Sequence, residues 1–412
     1  MTGARDRPET PVETTIIAVA RTSYGRLLAL LSSRDGDIAA SEDALSEAFS
    51  AALMTWPERG IPDNPDAWLL TAARNRLNNA HRHADVKRKS TEEIMLRLEE
   101  RSSGGDPIPD RRLAMMFVCA HPAIQEDVRT PLMLQTVLGM DAQRIASAFL
   151  VSPTTMGQRL VRAKAKIKAA GIGFQLPDLE HLPARLDDVL CAIYVAFGTA
   201  WDGAAEAKDG RAALADEAIF LARIVVALMP EEPEALGLLA LMLYVDARKG
   251  ARWDGDKGFV PLKDQDSRLW SRDKIIEAEH LLSSASRKLR FGRFQCEAAI
   301  QSVHVQAPIN GKTNWKALKT LHEMLLQHRP SVGAFVSYGA VLLGMGNADQ
   351  ALEVLHSLDE GDIAHYQPYW VTLAAAHDVL GDKSAAIAAR SRAIDLTDNA
   401  AIQAFLLSET TP

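Results

Sequence analysis

Apolar residues recur at three- and four-residue spacing along nearly the whole chain, and no stretch shows a convincing alternation with period two. The pattern predicts an all-α protein. Between residues 13 and 33, Ile16, Val19, Ala20, Tyr24, Leu27, Leu28 and Leu31 share one side. A second helix is expected to open at Ser41, with Leu45, Ala48, Phe49, Ala52 and Leu53 inward. Its outward acids Glu42, Asp43 and Glu47 suit the first turn, where the helix dipole favours negative charge. Residues 57–65 are rich in Pro, Gly, Asp and Asn and read as a loop. Asn64 or Asp66 can cap the third helix, which has Trp68, Leu69, Ala72 and Leu77 on its packing side and Arg74, Asn75, Arg76, Asn79 and Arg82 on its polar side.

The segment from Asp141 to Ile172 predicts two helices joined by a tight turn. Gly139 can end the preceding helix in the left-handed region, and Asp141 can cap the next, which turns Ile145, Ala146 and Phe149 to one face. Ser152-Pro153 then restarts a helix, serine as cap and proline where its missing N–H costs nothing. Met156, Leu160, Ala163 and Ile167 form the inner stripe. Thr154, Thr155, Gln158, Arg159 and Arg162 lie off it, followed by Lys164, Lys166 and Lys168. This is a helix-turn-helix pattern, whose second helix can reach base edges with its early residues and phosphates with its later ones. The plainer alternative is an amphipathic helix with a solvated basic face.

Residues 91–110 are charged and contain Ser102-Ser103-Gly104-Gly105, which reads as a linker. From about Leu182 onward the pattern is helix pairs. GNADQAL (346–352) and GDKSAAI (381–387) recur at a spacing of 35, close to the 34 of a tetratricopeptide unit. Pro230 and Pro330 stand at similar helix starts, so a short solenoid is expected. Residues 252–272 interrupt this periodicity. There Asp254, Asp256, Asp264 and Asp266, with Trp253 and Trp270, offer a ligand cradle or docking loop, the alternative being an ordered connection with solvated acids.

Composition narrows the chemistry. The 412 residues allow two or three domains, and the formal charge of −7 argues by itself against a nucleic-acid binder. The basic residues are nevertheless clustered, in Arg74 to Lys89 and in the second helix of the helix-turn-helix. No run has the roughly 18 apolar residues of a membrane span. The polar N-terminus lacks a signal-peptide core, so a cytoplasmic location and no membrane partner are expected. Cys119, Cys191 and Cys296 are odd in number and far apart, which fits reduced thiols. Cys119 and His121 do not make a metal site, and His304, His365 and His377 have no partner spacing. With no phosphate-cradling loop or nucleophile motif either, no catalysis, metal or cofactor is expected.

Residues 13–170 resemble an extracytoplasmic-function sigma factor of the sigma-70 family. The resemblance is carried by SEDALSEAFSAAL, by NPDAWLLTAARNRLNNAHR and by VSPTTMGQRLVRAKAKI, in that order. A narrower group, with a long tetratricopeptide-like extension, is resembled through CAHPAI (119–124), residues 214–248 and LKDQDSRLW (262–270). The domains implied are sigma region 2 at 1–90, an acidic linker at 91–110, sigma region 4 at 111–173 and a regulatory helical extension at 174–412.

The resemblance also implies roles. Glu42, Asp43 and Glu47 would face the β′ clamp of the RNA polymerase core, with the β flap as a further contact. Asn64, Trp68, Arg74, Asn75 and Arg76 would meet the downstream (minus 10) promoter element and its flipped base. Thr154, Thr155, Gln158, Arg159, Arg162 and Lys166 would serve the upstream (minus 35) element. From their own residues, and not from the resemblance, Asp264, Asp266 and Trp270 are expected to form a regulatory loop, with the extension touching the sigma domains within one molecule. Asn78-Asn79, Gly157 and Gly198-Thr199-Ala200-Trp201 depart from the usual pattern, and Gly157 weakens its helix by about 1 kcal/mol relative to alanine. A tetratricopeptide-like scaffold and a stand-alone helix-turn-helix repressor are the alternative readings.

Overall fold

The computed structural model describes residues 10–84, 110–149, 151–178, 180–202, 211–254 and 258–408. Most of the expected linker, residues 91–109, and the side chains of Asn79 and Arg82 lie outside what it describes. The described chain is helical, apart from a two-residue antiparallel pair, β1 (Trp253–Asp254) with β2 (Gly258–Phe259). It divides into two compact units, residues 1–202 with 208–221 and residues 203–207 with 222–412.

In the first unit, α1 (Pro11–Asp35) begins with a capping box between Thr10 and Glu13 and ends at Gly36, whose φ of 72° is left-handed. That turn lets Asp37 cap α2 (Ile38–Arg59) at once, its carboxylate accepting from Ala40 N–H at 3.2 Å. The second helix therefore starts one turn before Ser41, which is buried inside it. Glu42, Asp43 and Glu47 are not first-turn acids, and Leu53, expected inward, is 48% exposed. Asn64, rather than Asp66, caps α3 (Pro65–Ala84), accepting from Ala67 N–H at 3.1 Å. Asp66 turns to α1, where Arg26 pairs with it and Ser23 Oγ donates to it at 2.9 Å.

Helices α4 (Arg112–Cys119), α5 (Glu126–Thr136), α6 (Ala142–Ala148) and α7 (Pro153–Ala169) follow. The expected cap chemistry is present: Gly139 has φ 64°, Asp141 accepts from Arg144 N–H at 2.8 Å, and Ser152 accepts from Thr155 N–H at 3.2 Å. The unit does not end at residue 173. Helix α8 (Pro183–Asp202) lies on α4 and α5, burying Val189, Leu190, Ile193, Ala196 and Phe197. Arg129 pairs with Asp188 at 2.9 Å, and Arg185 donates to the Phe117 carbonyl at 3.1 Å. The division between units falls within α9 (Arg211–Leu228), whose first half supplies Glu217 to the buried Arg112.

The second unit is built on α10 (Pro233–Ala247), which is apolar on all sides and buried accordingly. Helices α11 (Arg272–Ser286) and α12 (Arg293–Asn310) pack on it. Helix pairs continue with α13 (Trp315–His328), α14 (Val332–Gly344), α15 (Ala348–His356), the single turn α16 (Glu360–Ile363), α17 (Gln367–Leu380), α18 (Lys383–Asp395) and α19 (Ala400–Ser408). Gly346 and Gly381, the recurring glycines, each precede the second helix of a pair and share φ 81°. Only glycine takes that conformation without strain, which is why the repeat was visible in the sequence.

Candidate nucleic-acid interface

Helix α7 sorts its side chains as the periodicity predicts, except at Lys164, which is buried. Met156, Leu160, Ala163 and Ile167 are buried, while Thr154, Thr155, Gln158, Arg162 and Lys166 point to solvent. Arg162 reaches back to the Gln158 amide oxygen, 3.4 Å away, so the two are linked on one exposed face. Arg159 is different: it pairs with Asp127 of α5 at 3.1 Å and is held to the flank.

Two further bases of this helix are spent on α2. Lys164, only 8% exposed, places Nζ 2.5 Å from Glu42 Oε2. Burial raises the pKa of Glu42, and the charge of Lys164 partly offsets this. The other carboxylate oxygen of Glu42 is buried without a hydrogen-bond partner among the described residues. Lys168 pairs with Asp37 at 2.6 Å, and the Asp37 pKa is lowered, its own burial opposing the effect of Lys168 and the Ala40 N–H. Glu42 thus faces α7 rather than solvent, while Asp43 and Glu47 are exposed. Glu47 pairs with Arg76 of α3 at 3.1 Å.

A second contact seals the same region. A Cβ added to Gly25 of α1 would overlap the carbonyl of Val137, just beyond α5. The glycine is required by this close backbone approach. Sequence patterning named neither Gly25 nor Asp37 for such roles, because both depend on partners more than a hundred residues away.

On α3, Asn64 and Asn75 are exposed and Trp68 is half-buried, its ring edge-on to Trp56 with centroids 5.5 Å apart. Arg74 is half-buried and Arg76 exposed. Asp264, Asp266 and Trp270 belong to the other unit. Asp266 caps a short turn, bonding Arg268 through its backbone N–H at 2.9 Å and its guanidinium at 2.7 Å. The Arg268 side chain and N–H hold its carboxyl down at about 2. Asp264 is exposed, and the Trp270 indole N–H is buried without a partner among the described residues. Cys119 is buried against Thr136 Oγ1 at 3.6 Å, and His121 Nδ1 accepts from Ala123 N–H at 3.1 Å, so the two do not converge on a shared ligand point. Among the described residues no group of three or more His, Cys, Asp or Glu is placed to hold a metal. No helix among them is long and apolar enough to cross a membrane.

An uncharacterized protein of Rhizobium meliloti (strain 1021) is 34% identical over 402 residues, covering 96% of this chain and 94% of that protein. This chain belongs to its family. Residues 185–286 also match a family of unknown function (DUF6596). That segment runs from α8 to the end of α11, so it starts on the helix that braces α4 and α5. No solved structure matches the chain.

Proposed function

We propose that this protein is an RNA polymerase sigma factor of the extracytoplasmic-function type, which directs promoter-specific initiation and has no catalysis of its own. The observation that carries the reading is the exposed face of α7. It stands on a capped helix-turn-helix and turns Thr154, Thr155, Gln158, Arg162 and Lys166 outward over a buried stripe. In this reading that face reads the upstream element in the major groove, and Asn64, Trp68 and the α3 arginines meet the melted downstream strand. Asp43 and Glu47 are the acids presented to the polymerase clamp.

The free protein is then a closed form. A sigma factor spread over two promoter elements must part α2 from α7, and in the free chain Glu42–Lys164 and the Gly25–Val137 contact join those two halves. The extension regulates this step, beginning with α8 as a brace on the helix-turn-helix half. The stand-alone repressor is less favoured, because an acidic chain gains little counterion-release affinity without polymerase.

Co-purification tests the reading. Full-length protein mixed with bacterial core polymerase should co-migrate with it and be displaced by excess of another sigma factor. A protein that never enters the core complex would leave the scaffold reading in its place.

A further inference from the structure

Helix α7 holds a glycine that the fold does not use. Gly157 lies mid-helix outside the left-handed region, half-buried, and a Cβ built on it would meet nothing within 4 Å among the described residues. Glycine there weakens the helix with no packing in return. One turn on, Val161 is 66% exposed. A β-branched side chain in a helix is held close to one rotamer, so its methyl groups stand rigidly outward. Beside them are Gln158 and Arg162, linked to each other at 3.4 Å. The helix therefore has open space where a Gly157 side chain would stand, an apolar wall at Val161, and two polar readers alongside.

We propose that Gly157 and Val161 form a notch that takes the 5-methyl group of a thymine in the upstream promoter element. The inference rests on the promoter-reading role of α7 and adds a specificity determinant to it. In the major groove thymine alone among the four bases presents a methyl group, while adenine and guanine present the acceptors and donors that Gln and Arg read. The missing Cβ lets a base edge approach the helix backbone, and Val161 covers the methyl from one side. The exposed cations Arg162 and Lys166 on the same helix suit a duplex phosphate backbone as the occupant rather than an apolar peptide. The expected element has a thymine next to a purine contacted by Gln158 or Arg162.

The test uses the full-length protein in polymerase holoenzyme on a promoter located by mapping its transcription starts. Each thymine of the upstream element is replaced singly by deoxyuridine, which removes only the methyl group, and promoter occupancy is measured. The wild-type protein should lose about four-fold at one position, the worth of one buried methyl group. Val161→Ala and Gly157→Ala should each weaken binding to the thymine promoter and lose nothing further on the deoxyuridine one. Gly157→Ala should also melt at a higher temperature, which separates its binding loss from unfolding. Specific starts with no thymine position responding, or with Val161→Ala as sensitive to deoxyuridine as wild type, would overturn the notch alone. Holoenzyme that neither starts transcripts nor occupies upstream DNA would overturn the promoter-reading role, and the notch with it.

Discussion

Lys164 and Glu42, 122 residues apart in sequence, form a largely buried ion pair between α7 and α2. One belongs to the helix expected to read DNA and the other to the helix expected to meet polymerase. A buried pair is costly to break from one side, because the charge left behind keeps its desolvation penalty. Glu42→Met or Lys164→Met should each destabilise the first unit by about 3 kcal/mol, and the double change to methionine should recover most of that loss. Urea denaturation of the three variants checks this. Additive losses in the double variant would show that the two residues are not coupled.

Two glycines predict opposite signs. Gly25→Ala forces a methyl group into the Val137 carbonyl and should cost about 2–3 kcal/mol or part the helices. Gly157→Ala fills open space on a helix and should gain about 1 kcal/mol. Thermal melts of the pair measure the difference. Equal shifts would contradict the close approach at Gly25.

Truncation should respect α8 rather than the end of the helix-turn-helix. A chain ending at Gly173 loses the cover that Val189, Leu190, Ile193 and Phe197 give to α4 and α5. It should bind hydrophobic dye and aggregate, whereas a chain ending at Leu228, which keeps Glu217 on Arg112, should resist both. The shorter chain remaining monomeric and dye-free would show that α8 is dispensable.

The second unit should weaken in mild acid. His322 is 5% exposed with Nδ1 unpartnered among the described residues, and burial pushes its pKa down to about 4. His304 is likewise held at about 4, by burial and then by Arg248 and His322. Near neutral pH both are uncharged, folded or unfolded. As pH falls from about 6.5 towards 4, the unfolded chain binds protons that the native chain refuses, so stability drops by up to about 1.4 kcal/mol per pH unit for each histidine. His322→Leu should flatten the pH dependence of the urea midpoint over that range. An unchanged slope would contradict the assignment.

Leu289, just past α11, has φ 55° and is 92% exposed. Two residues beyond the C-cap Arg287, it holds a left-handed conformation that only glycine takes without strain. Leu289→Gly should therefore leave stability unchanged or raise it by about 1 kcal/mol, read from thermal melts. A clear loss would mean that the side chain has a stabilising contact.

What the sequence made legible was local. Asp141, Ser152 and Pro153 act on their own next turn, and Gly346 and Gly381 set their own φ, so the helix-turn-helix and the repeated pair were both readable. The start of α2 is set by Gly36 and Asp37, which cap one turn before the more conspicuous Ser41. The inward turn of Glu42 and Lys164 was hidden for a different reason. On a helix wheel each reads as an ordinary solvated charge, and only the crossing of α2 with α7 buries them. The start of the brace at α8 was likewise a matter of long-range packing, invisible to periodicity.

The central claim is promoter-specific initiation, and run-off transcription on a genomic promoter library with purified core polymerase tests it most directly. The account predicts discrete starts that require this protein and disappear when Gln158 and Arg162 are replaced together by alanine. Starts that are indifferent to those two residues, or no starts from a protein that is folded and bound to core, would contradict it.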